Sequence, residues 1–235
     1  MSTTRPPAPR GETAPSTKAE IDGFLAEMRA RVPAEGAGRL VFGLDATMSR
    51  QPTWDRACHL QAGMFEEAAS LGGLSVQLIY FRGFRECRAS RWTGNPKALS
   101  KMMTGLVCQG GHTQIGRVLS HVRKSAKREK VGALVFVGDA MEERLDDLSQ
   151  QAGELGLLGV PAFMFQDGRD PVAETAFREI ARLTKGAYCR FDTASAAELG
   201  RLLRAAAAYA AGGRIALEDR ARGDGQARLL LQQMR

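Results

Sequence analysis

The sequence predicts an α/β fold: a doubly wound, Rossmann-like, mostly parallel sheet with one antiparallel edge strand and helices on both faces. Short runs nearly continuous in apolar residues have strand length and read as parallel strands covered on both sides. Between them lie stretches whose apolar residues recur at i, i+3, i+4 and i+7, the period of a helix with one buried face. Alternation of the two with short connections builds a parallel sheet wound in both directions.

Residues 1–18 are rich in Pro, Ser and Thr without apolar period and read as a disordered arm. Ile21, Phe24, Leu25 and Met28 mark an amphipathic helix over Lys18–Arg31, so 19–37 is assigned to an N-terminal helix and linker. Strands are expected at 39–45, 74–82, 131–138, 159–166 and 186–191. Helical stripes run through Trp54 to Leu71, Ile115 to Val122, Leu145 to Leu155, Ala173 to Leu183 and Leu199 to Ala206. The segment 83–94, GFRECRASRWTG, breaks the alternation and reads as the antiparallel edge strand, returning along 74–82 through a turn near Gly83. Asn95-Pro96 starts a helix over about 95–105. Gly212-Gly213 is expected to end the helix before it, leaving 212–235 as an extension with a short helix over 228–234.

With 235 residues and 44% hydrophobic content the chain can bury a full core in one domain plus appendages. The sequence has no apolar run of membrane-spanning length and no signal-peptide h-region at its start, which makes a cytoplasmic protein the expectation. Cys58, Cys87, Cys108 and Cys189 are scattered without CxxC or Cys/His spacing, so free thiols are expected and zinc is not. The net charge of +7 comes mostly from dispersed arginines. The one dense basic run, 121–130, lacks interleaved aromatics and reads as a solvated helix end, which argues against a nucleic-acid partner. Arg222-Gly223-Asp224 is read as coincidence.

Ligands of open α/β sheets bind outside the carboxyl ends of the strands. There the expected strands end in Asp45, Asp139, Asp167 and Asp192. Asp192 reads as a helix cap and Asp167, in Gln166-Asp167-Gly168, as a turn residue that could also line the site. In Asp45-Ala46-Thr47-Met48-Ser49 the i, i+2, i+4 spacing turns a carboxylate and two hydroxyls toward one side, a hard-oxygen set suited to Mg²⁺ or Ca²⁺. Thr47 or Ser49 as cap of a helix beginning near Thr53 is the structural alternative. Thr113, after the glycine turn Gln109-Gly110-Gly111-His112, supplies another hydroxyl or caps the helix that follows. The strand 131–138 runs straight into Asp139.

These three pieces resemble the von Willebrand factor type A (VWA) domain and its metal ion-dependent adhesion site, over roughly residues 38–211. The family pattern is Asp-x-Ser-x-Ser after the first strand, a Thr in a later glycine-containing loop, and an Asp after the central strand, usually followed by Gly. The resemblance implies Asp45, Thr47, Ser49, Thr113 and Asp139 as metal-site residues, with Thr47 and Ala140 departing from the usual Ser and Gly. It implies Mg²⁺, with Mn²⁺ or Ca²⁺ as substitutes, and a protein partner whose acidic side chain completes the ion's coordination. Arg50, Gln51, His112 and Asp167 are expected on the rim of the contact surface. Cytosolic bacterial proteins that look like this family work beside AAA+ ATPases or stress-response assemblies, which makes such an assembly the implied partner. No GxSxG, P-loop or GxGxxG motif is present, so the chain is not read as an enzyme. Two alternatives stand beside this reading: a haloacid dehalogenase-like phosphohydrolase with Asp45 as nucleophile, which lacks the second acid because position 47 is Thr, and a scaffold with a degenerate metal site.

Overall fold

The computed structural model describes residues 38–50, 74–191 and 196–234. The arm, the helix expected at Lys18–Arg31, the Trp54 to Leu71 stripe, Gln51, Cys58 and Asp192 lie outside these residues.

A six-stranded sheet has the order β3-β2-β1-β4-β5-β6. Its strands are β1 (Gly38–Asp45), β2 (Leu74–Arg82), β3 (Glu86–Ala89), β4 (Ala133–Gly138), β5 (Ala162–Asp167) and β6 (Ala187–Phe191). All neighbours are parallel except β2 and β3, which pair antiparallel with Ile79 opposite Ala89. The order reverses between β1 and β4, and the crevice at their carboxyl ends is where such sheets take ligands.

Helices among the described residues are α1 (Pro96–Thr104), α2 (Ile115–Ala126), α3 (Leu145–Leu157), α4 (Pro171–Leu183), α5 (Ala196–Ala221) and α6 (Gly225–Gln233). Alternate residues of each strand feed two cores. Leu40, Phe42, Leu44, Val135 and Phe163 pack with Leu99 and Met103 of α1, Leu202 and Leu203 of α5 and Leu230 of α6. Val41, Ile79, Leu134, Phe136 and Met164 pack on the opposite face with Val118 of α2, Leu155 of α3 and Phe177 of α4. Full burial of one such side chain contributes about 1.5–3 kcal/mol, and truncating Phe42 to Ala would cost roughly 3–5 kcal/mol.

The observed elements refine the sequence expectation in three places. The antiparallel strand covers Glu86–Ala89 only. At Ser90 the side-chain hydroxyl takes the Leu78 N–H at 3.0 Å, and pairing resumes as an isolated bridge between Val76 and Thr93. Strand β5 begins at Ala162 because Gly159 turns with φ 72° and Pro161 has no N–H to give. Gly213, at φ 68° and ψ −157°, ends the first helical stretch of α5 as expected, and a second stretch follows at once across the kink. Beyond that break Leu217, Ala221, Ala227, Leu230 and Met234 join the core, and Gln233 accepts the Tyr188 N–H of edge strand β6 at 2.9 Å. Within Arg222-Gly223-Asp224, the Asp224 carboxylate caps α6 through the Gln226 N–H at 2.9 Å.

Candidate functional site

Asp45 is the last residue of β1 and is 1% exposed. The chain then bends so that Thr47 donates its N–H and its hydroxyl to the same oxygen, Oδ1, at 2.8 and 2.6 Å. The Thr47 and Ser49 hydroxyls lie 3.1 Å apart, and a 3-10 turn over Met48–Arg50 closes with the Arg50 N–H on the Thr47 carbonyl at 3.1 Å. Asp45 Oδ2 is buried and accepts no hydrogen bond among the described residues. Burial pushes this carboxyl up to about 6, against the Thr47 hydrogen bonds and the Arg50 charge that favour ionisation; the nearby Asp139 charge adds to the rise.

Asp139 leaves β4 at the adjacent strand end. Its Oδ1 is likewise buried without a hydrogen bond among the described residues. Burial raises its pKa, while a bond from Ser49 and the Arg50 charge work in the opposite direction. Ser49 therefore joins both acidic strand ends, through Thr47 on one side and Asp139 on the other. Arg50 reaches from the 3-10 turn to the end of β5 and forms a buried ion pair with Asp167.

The glycine turn is held against this motif by backbone. The Gln109 N–H donates to the Ala46 carbonyl at 3.1 Å, and Gln109 bridges Thr47 in parallel register. Gly111 lies so close to the β2–β3 turn that a Cβ there would fall 2.0 Å from the Gly83 carbonyl oxygen. Thr113, 5% exposed, donates its N–H to Glu142 Oε2 at 2.9 Å and accepts the Glu142 N–H on its hydroxyl at 3.0 Å. This reciprocal pair ties the Thr113 loop to the Asp139 loop.

The helix-cap alternative for Thr113 is corrected here. Gln114 occupies the N-cap position of α2 without a side-chain bond, and Glu143 serves the open helix end, accepting the Ile115 and Gly116 N–H groups at 2.5 and 2.9 Å. The structure thus brings Asp45, Thr47, Ser49 and Asp139 into one bonded set, and places Thr113 at the same sheet edge on a loop bonded to both flanks.

Of the residues expected on the rim, His112 is exposed, packs edge-on against Phe84 at 5.3 Å and lies 3.2 Å from Glu142. Arg50 and Asp167, 1% and 7% exposed, are not surface residues as expected but interior partners of each other. Asp167 is a strand residue, with the turn carried by Gly168 at φ 85°. Glu142 and Glu143 are the residues sequence reading passed over. Two acids three and four residues after a strand-end Asp are their only local signal.

The donor set fits a hard divalent cation. Two buried carboxylate oxygens lack a donor among the described residues, and neutral hydroxyls stand beside them. No three His, Cys, Asp or Glu side chains cluster as a metal site among the described residues, so any ion here depends on the hydroxyls. Among the described residues no helix is long and apolar enough to cross a membrane.

No protein-family model and no curated protein matches the chain. Solved structures do. A von Willebrand factor type A protein from Catenulispora acidiphila is similar with TM-score 0.61 and 17% identity, over 74% of this chain and 43% of that one. An aerotolerance-related membrane protein from Bacteroides fragilis follows with TM-score 0.56 and 19% identity, over 70% of this chain and 96% of that one. The VWA domain of SpRpn10 has TM-score 0.56 and 11% identity, over 69% and 95% of the two chains. The chain spans less than half the length of the Catenulispora protein. At these identities the likeness concerns the fold.

Proposed function

We propose that this chain, which has the von Willebrand factor type A fold, is a non-enzymatic protein-interaction module whose contact depends on a bound Mg²⁺, with Mn²⁺ or Ca²⁺ as substitutes. One observation carries the reading: Asp45 and Asp139, on neighbouring strand ends, each keep a buried oxygen without a hydrogen bond among the described residues. An unsatisfied buried carboxylate oxygen costs about 1–3 kcal/mol or more, and a cation between the two strand ends removes that cost.

Asp45, Ser49 and Asp139 would hold the ion, with Thr113 on the flanking loop, and Thr47 orients Asp45. The ion would supply the positive charge that attracts a partner carboxylate. The Thr47 bonds keep Asp45 Oδ2 turned away from its own turn, and the Glu142 pair fixes the Thr113 loop. The partner is a protein presenting an Asp or Glu side chain. A cytoplasmic setting and an AAA+ ATPase or stress-response assembly are the context the family resemblance implies.

The phosphohydrolase reading would need a general acid at position 47, but the Thr47 hydroxyl is already committed to Asp45. The scaffold reading has one observation in its favour, the buried Arg50, a cation already present among the acids. Arg50 leaves Asp45 Oδ2 and Asp139 Oδ1 without a donor, which favours an added ion.

Isothermal titration with MgCl₂ and MnCl₂ tests the proposal. One ion per chain is expected, with loss of binding in Asp45→Asn and Thr113→Ala variants. Unchanged binding in both would sink it. An EDTA-sensitive pull-down then identifies the partner, and aryl phosphate turnover dependent on Asp45 would return the enzyme reading.

A further inference from the structure

We infer that the buried pair Arg50–Asp167 sets the charge of the cation site, cancelling one of its three carboxylates so that the remainder matches a divalent ion. This rests on the cation reading above. The Arg50 side chain is 1% exposed and the Asp167 side chain 8%, so neither charge is dissipated by solvent. Both belong to the same electrostatic group as the candidate ligands: Asp167 acts on Asp139, and Arg50 acts on Asp45 and Asp139. Among the described residues that act on one another here, the carboxylates of Asp45, Asp139 and Asp167 and the Arg50 guanidinium sum to −2.

The value matters for what the site can capture. At −2 a divalent ion gives a neutral centre that a partner carboxylate can approach. At −3, without Arg50, the ion would be held more tightly in a centre still negative, which repels an incoming carboxylate and favours trivalent ions. Arg50 also engages the Asp167 carboxylate in an ion pair of its own, so that this acid acts on the ligands through its charge. Arg50 and Asp167 are therefore positioning residues that act through the ligands.

A four-protein cycle in the full chain tests this: wild type, Arg50→Gln, Asp167→Asn and the double variant, with Mn²⁺ binding followed by titration calorimetry and Tb³⁺ by luminescence at pH 8. A charge-setting role predicts opposite signs. Arg50→Gln should bind Mn²⁺ about tenfold or more tightly and gain further for Tb³⁺, Asp167→Asn should bind about tenfold or more weakly, and the double variant should return to within about threefold of wild type. A merely architectural pair would weaken binding in both single variants, and that outcome overturns the inference while leaving the cation reading intact. A wild-type chain that takes up no Mn²⁺ overturns both. If Arg50→Gln does not fold, Asp167→Asn against the double variant, in which both charges of the pair are removed, decides the matter: equal affinities overturn it.

Discussion

Thr47 gives both of its donors to one oxygen of Asp45, at 2.8 and 2.6 Å, and the other oxygen, Oδ2, is left without a bond among the described residues. One side chain thereby orients the carboxylate and leaves half of it available. A Thr47→Ser variant keeps the hydroxyl and should bind Mg²⁺ within about threefold of wild type. Thr47→Val keeps the shape and loses the hydroxyl donor, with a stability loss of about 1–2 kcal/mol and Mg²⁺ affinity reduced tenfold or more. Calorimetry of the two variants separates these outcomes, and equal affinities would dismiss the orienting role.

The same carboxylate makes the metal-free protein sensitive to pH. Burial keeps the proton on folded Asp45 to about pH 6, whereas the ordinary value is 3.8. Between about pH 4 and 6 the folded chain therefore carries more protons than the unfolded one, and this group's contribution to stability falls as pH rises, by about 2–3 kcal/mol in all. Asp45→Asn removes the buried charge, so in EDTA at pH 7.5 it should melt several degrees above wild type. Added Mg²⁺ should raise the wild-type Tm and leave the variant unmoved. A metal-free variant less stable than wild type would contradict the assigned cause.

Adjacent glycines of the Thr113 loop should respond differently to the same change. A Cβ on Gly111 would meet the Gly83 carbonyl oxygen at 2.0 Å, whereas one on Gly110 would meet nothing within 4 Å. Gly111→Ala should therefore cost about 1–3 kcal/mol, displace the loop and weaken Mg²⁺ binding. Gly110→Ala should do neither. Denaturant unfolding and metal titration of the pair provide the comparison.

The sheet and the strand-end acids are legible in the sequence because period and apolar continuity are local properties. Asp45, Thr47 and Ser49 could be grouped because they lie within five residues of one another. Arg50 could not be placed the same way. An Arg after a polar motif reads as exposed because arginine is seldom buried unless paired, and its partner Asp167 lies 117 residues away at the end of β5. Thr113 misled in the opposite sense, since its position before an amphipathic helix imitates a cap whose real acceptor, Glu143, lies 27 residues beyond the Gly116 N–H it serves. In both cases the deciding partner is a tertiary neighbour on another strand end or loop, which no periodicity encodes.

That distant cap yields the last prediction. Glu143 accepts the Ile115 and Gly116 N–H groups, and its carboxylate lies where the positive end of the α2 dipole is strongest. Glu143→Ala removes both acceptors and should cost about 1–2 kcal/mol; Glu143→Gln keeps one and should cost about half as much. Amide exchange localises the effect, with Ile115 and Gly116 losing protection first. Glu142→Ala provides the contrast: it removes the acceptor of the Thr113 N–H and leaves the α2 cap in place. It should therefore loosen the Thr113 loop and weaken Mg²⁺ binding at little cost in exchange protection of Ile115. Should both variants affect the helix and the ion equally, the two adjacent acids would share one role instead of dividing cap from loop.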